Sequence, residues 1–160
     1  MKIENQPPPA DSDKIEKLAI AAIDEARMVL PGIQALFGFQ LIAAFNERFR
    51  ELEPRQQALH FVALVLVALA IAIIMTPAAY HRLAERGSIS GFFVRLASGL
   101  IAIAMFPLML ALCIEVHLLG RVILQQEWIS ATISILLLIV FAGLWYGFPF
   151  AMRRSRRGGT

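Results

Sequence analysis

The sequence predicts an all-α integral membrane bundle of four transmembrane helices preceded by a short amphipathic helix. Two observations carry this. Of 160 residues, 58% are hydrophobic and only 17% charged, with a mean hydropathy of +0.67, whereas soluble domains hold about half apolar and about a quarter charged residues. The apolar residues also fall in long blocks separated by charges and prolines, and a globular core does not need that segregation. A membrane β-barrel would require segments of about ten residues alternating apolar and polar, and none is visible.

Residues 1–12, with Pro7, Pro8 and Pro9, are too poor in large apolar side chains to offset the entropy of ordering, and a disordered N-terminal tail is expected. They lack the basic start and early apolar run of a secretory signal. Residues 13–27 read as an amphipathic interfacial helix. Asp13 can cap it with Glu16 three residues on, and Ile15, Leu18, Ala19, Ala22 and Ala26 recur at helical spacing beneath a charged face.

A helix needs about 20 apolar residues to cross about 30 Å of hydrocarbon, and four stretches within 28–151 approach or meet that length: 28–45, 58–79, 96–114 and 128–151. The first is the most polar, with Pro31, Gly32, Gln34, Gly38 and Gln40. The second is unbroken from Phe61 to Met75, leaving no polar face for water. The third carries no charge between Arg95 and Glu115, and Pro107 is expected to kink it. The fourth ends at Pro149 and a basic cytoplasmic tail, 152–160, with Arg153, Arg154, Arg156 and Arg157.

Orientation follows from the basic residues of the connections. With both termini cytoplasmic, Lys2, Lys14, Lys17, Arg27, Arg82, Arg86, Arg95 and the four tail arginines are inside, against Arg48, Arg50, Arg55 and Arg121 outside. Eleven against four favours this topology in a bacterial inner membrane. The net charge of +3 therefore reads as membrane anchoring rather than as nucleic-acid binding.

Few residues invite chemistry. Gln34 and Gln40 are costly in hydrocarbon unless they face the bundle interior, where they would hold helices together or line a cavity. Gly143 and Gly147 form a Gly-x-x-x-Gly pair, expected to let the fourth helix pack closely within the bundle or against a second copy; Ala68 with Ala72 and Ser98 with Ala102 are weaker versions. Cys113, the sole cysteine, Glu115 and His117 are too few for a zinc site, and no metal or other cofactor is expected. Every charged residue falls at an expected helix end, which disfavours ion-coupled transport. No phosphate loop, His-Glu-x-x-His or Gly-x-Ser-x-Gly motif is present.

The run Glu25-Ala-Arg-Met-Val-Leu-Pro-Gly-Ile-Gln-Ala-Leu-Phe-Gly-Phe-Gln40, then Arg48-Phe49 and Pro77-Ala-Ala-Tyr-His-Arg82, resembles an uncharacterised family of small bacterial multi-pass membrane proteins, a domain of unknown function, over roughly residues 20–120. The resemblance implies a bacterial cytoplasmic-membrane protein with several spans and supplies no activity. Its positions sharpen one expectation: Glu25, Arg27, Tyr80, His81 and Arg82 form a cytoplasmic-interface cluster. There, Glu25 or Asp24 would pair with Arg82 or His81, and the basic groups would anchor the helix ends or meet anionic lipid headgroups.

The leading expectation is a non-enzymatic structural, regulatory or accessory subunit, with membrane lipids, a second copy or another membrane protein as partner. The alternative is a small oligomeric channel or transporter lined by the glutamine-bearing first helix. A lipid-modifying enzyme would have only His60 or His81 as general base.

Overall fold

A computed structural model describes residues 9–84 and 90–157, and every element in it is helical. In order these are α1 (Pro9–Ala44), the short α2 (Glu47–Arg50), α3 (Pro54–Ala84), α4 (Gly91–Leu124), α5 (Glu127–Ala142), a π-helical turn (Gly143–Gly147) and α6 (Phe148–Arg157). Among the described residues four segments are long and apolar enough to cross a membrane: Lys14–Ala44, Pro54–Ala84, Gly91–Leu124 and Glu127–Arg156.

The helices outrun their expected bounds because caps and polar turns extend them past the apolar blocks. Helix α1 begins at Pro9 and absorbs both the end of the expected tail and the amphipathic segment without a break; the rest of that tail, 1–8, lies outside the described residues. Pro54 occupies the first turn of α3, where its missing N–H costs nothing, and Gln56 Oε1 accepts from the Glu53 N–H at 3.1 Å, the reciprocal half of a capping box. Ser90 Oγ accepts from the Phe93 N–H at 3.1 Å and starts α4 five residues before the expected span. Asn46 caps α2, and Gln57 Nε2 donates to the carbonyls of Phe49 and Leu52.

The chain forms two compact units, and α1, α3 and α4 contribute to both. One comprises the described residues up to Leu36 with Ile71–Ala104; the other comprises Phe37–Ala70 with those from Met105 on. The first unit buries Ala19, Ala22, Ile33, Ile74, Phe93, Ala97 and Ala104. The second buries Gln40, Gln56, His60, Ala63, Val67, Ala70, Ala111, Leu118 and Ser130 among others.

Along α3 the buried positions are Gln56, His60, Ala63, Val67, Ala70, Ile74 and Pro77, alternating steps of four and three. This is the 3.5-residue period of a helix seam. The seam is rich in alanine, while large side chains such as Phe61, Ile103, Leu136 and Ile139 are more than half exposed. A water-soluble bundle does the reverse; in lipid, small residues let backbones approach while large apolar ones face the hydrocarbon.

The small-residue pairs named from sequence lie elsewhere. Ala68, Ala72, Ser98 and Ala102 are exposed. A side chain built on Gly143 would meet nothing within 4 Å, and one on Gly147 only the Ala142 carbonyl of its own helix, at 3.7 Å. The packing expected of these two glycines within the bundle is therefore absent among the described residues. Their turn closes from the Phe148 N–H to the Gly143 carbonyl, so it is wider than an α-turn.

Close packing occurs instead at Gly120, where an added Cβ would stand 2.7 Å from Ser130 Oγ and 3.1 Å from its Cβ. Ser130 Oγ–H donates to the His117 carbonyl and accepts from His117 Nδ1 at 3.1 Å, while Ser134 Oγ–H donates to the Cys113 carbonyl at 2.6 Å. Four residues forward on α5 match four residues back on α4, the register of an antiparallel pair.

Candidate functional site

Each unit holds a cleft at which polar side chains gather. In the first, Arg27 from α1 and His81 and Arg82 from α3 line a cleft of about 280 Å³ whose remaining walls include Leu30, Ile74, Met75, Phe93 and Ile101. No carboxylate lines it among the described residues. Asp24 approaches Arg27 only at 3.9 Å, with both side chains more than half exposed, so the arginine's charge is weakly compensated. Arg82 and His81 have no acidic partner among the described residues, contrary to the pairing expected with Glu25 or Asp24.

The local sequence sets this geometry. Tyr80 and His81 point toward the start of α4, where Phe92 lies 5.9 Å from the Tyr80 ring and Phe93 5.3 Å from the His81 ring. Packing on Phe93 holds the imidazole in place, and its Nδ1 is buried without a hydrogen-bond partner. Such a group is costly unless something fills its hydrogen-bonding capacity. Of the five residues expected to cluster, Arg27, His81 and Arg82 converge on the cleft; Tyr80 and Glu25 do not line it.

In the second unit Glu115 Oε1 lies 3.0 Å from His60 Nδ1 and accepts from Gln40 Nε2 at 2.9 Å. The other ring nitrogen of His60, Nε2, donates to the Gln40 backbone carbonyl at 2.9 Å. Three helices thus meet through three polar side chains. Gln40 is 3% and His60 6% exposed, while the Glu115 side chain is 25% exposed. His60 and Glu115 reach one cleft of about 740 Å³, walled also by Arg48, Phe49, Glu51, Gln56, Leu118 and Val122. Phe49 meets the His60 ring edge to face at 5.1 Å.

This cluster overturns the expectation that every charge sits at a helix end, because α4 continues nine residues beyond Glu115 to Leu124. The expected span had stopped at the first charge it met. The seam offered a better signal: His60 stands four after Gln56 and three before Ala63, squarely on the buried stripe of α3. Glu115, His117 and Cys113 do not converge on one point. Glu115 turns to His60 and Gln40, His117 to Ser130, and Cys113 is buried.

Gln34 and Gln40 part company. Gln40 is in the cluster, whereas Gln34 is exposed. Six residues at 3.6 per turn place them about 120° apart around α1, so one face cannot present both.

Residues 12–149 match the model of a family described as a family of unknown function (DUF6328). No curated protein and no solved structure matches the chain.

Proposed function

The chain belongs to this family of unknown function, and we propose that it is a non-enzymatic accessory protein of the bacterial cytoplasmic membrane that holds an anionic lipid at the Arg27–His81–Arg82 cleft. The carrying observation is the wall composition: two arginines and a histidine with an unfilled ring nitrogen, apolar elsewhere, and free of acid among the described residues. An anionic amphiphile matches both halves. Its phosphate or carboxylate would accept from the guanidinium groups, and its chain would lie on Leu30, Ile74, Met75 and Ile101. Basic pockets of this kind face the cytoplasmic leaflet, which agrees with the orientation favoured by the basic residues of the connections.

The test is lipid mass spectrometry on gently solubilised protein. Wild type is expected to retain anionic phospholipid, and Arg27→Gln/Arg82→Gln to lose it while remaining folded. Equal retention by both proteins, with no stabilisation of either by added phosphatidylglycerol, would overturn the proposal.

The channel reading draws no support from α1, since Gln34 and Gln40 occupy different faces and Gln40 is already engaged.

A further inference from the structure

We infer that Glu115 and His60 form a binding site for one exchangeable proton, which couples the packing of α1, α3 and α4 in the second unit to pH. The inference stands apart from the lipid cleft and shares no residue with it.

Hydrogen-bond arithmetic carries it. A neutral imidazole has one donor and one acceptor nitrogen, and an imidazolium two donors. Both ring nitrogens of His60 face acceptors: Nε2 the Gln40 carbonyl at 2.9 Å, and Nδ1 Glu115 Oε1 at 3.0 Å. A backbone carbonyl can only accept, so Nε2 must carry hydrogen. A second proton must then lie between Nδ1 and Oε1, on the imidazolium or on the carboxylic acid. If it is removed, a neutral ring beside a carboxylate has hydrogen for only one of its two partners. One link breaks, either to α1 or to α4, and the vacated contact sets lone pair against lone pair.

No other described group can supply that hydrogen. Gln40 Nε2 already donates to Oε1, and residues 37–44 of α1 hold no titratable side chain. On the cleft wall Arg48 and Glu51 carry opposite charges. Arg121 is shared between Glu53 at 3.8 Å and Glu127 at 3.4 Å, and His117 is engaged by Ser130. The proton's way in and out is through the cleft, which His60 and Glu115 both reach and where Glu115 is the more exposed of the two.

The sign follows. The folded state with the proton bound satisfies both His60 contacts, so stability is present below the pair's transition and falls as pH rises through it. Glu115→Gln separates this from a merely structural role. The amide can donate one N–H to Nδ1 of a neutral ring while His60 Nε2 still donates to the Gln40 carbonyl, and a turned-over Gln40 amide accepts the second N–H at its Oε1, which has no partner in wild type, so the network stands without the shared proton.

The experiment uses the full chain in phosphatidylcholine nanodiscs with 15N-labelled histidine, His60 being assigned by its loss in His60→Gln. Wild type is expected to show a one-proton transition at His60, with the melting temperature falling as pH rises through the same interval. In Glu115→Gln the melting temperature is expected to stay level across the wild-type interval. A wild-type His60 that is neutral throughout with an ionised Glu115, or a Glu115→Gln protein that reproduces both wild-type profiles, would overturn the inference.

Discussion

Gly120 on α4 and Ser130 on α5 stand so close that a single methyl group on the glycine would come within 2.7 Å of the serine hydroxyl. That hydroxyl is engaged with both the carbonyl and the ring of His117, so it cannot rotate away without losing those bonds.

Gly120→Ala is therefore expected to destabilise the fold by about 1–3 kcal/mol, the usual cost of overpacking, and Gly120→Val by more. Ser130→Ala is expected to lower that penalty, since it removes the atom the new methyl group would strike. Unfolding in detergent of the two single variants and the double variant measures the coupling; additive effects would contradict the contact.

Gly143→Leu is expected to leave monomer stability within about 0.5 kcal/mol of wild type, as surface substitutions do, because nothing lies within 4 Å of its Cβ position. The same unfolding assay checks it, and the contrast with Gly120 distinguishes the packed glycine from the open ones.

His60→Ala removes one partner of a largely buried pair and leaves Glu115 without its ring contact. Losses of about 3–5 kcal/mol follow when such pairs are fully buried. Partial exposure of Glu115 places the expectation below that range, at roughly 2 kcal/mol, with Glu115→Gln costing less than His60→Ala. The order of the two melting temperatures is the check.

Gln56→Ala is expected to cost about 0.5–2 kcal/mol, the range for losing a helix cap, by leaving the Glu53 N–H without its side-chain acceptor. Amide exchange at the start of α3 should accelerate, while exchange at the middle of the helix stays slow.

The membrane character, the number of spans and the absence of strand among the described residues were legible in the sequence, because apolar runs of such length have one economical fate in any solvent. The capping signals were legible too: Glu53-Pro54 with Gln56, and Ser90 three residues before Phe93, mark the true starts of α3 and α4. Using hydrophobicity alone, the expected spans began and ended near the first polar or charged residues. The small-residue pairs went astray for a related reason. Spacing identifies residues that share a face but not which face is covered, so Gly143 with Gly147 looked as persuasive as Gly120 beside Ser130.

By itself the sequence determined that four helices form and that most of their surface is suited to hydrocarbon, since both depend on local composition and length. Tertiary structure alone decided which polar groups meet. Gln40, His60 and Glu115 are far apart along the chain, and only the rotation of three helices about their axes brings the side chains of Gln40 and His60 each within 3.0 Å of the Glu115 carboxylate. That rotation is set by the alanine-rich seam, because helices in lipid settle where small side chains let their backbones come closest.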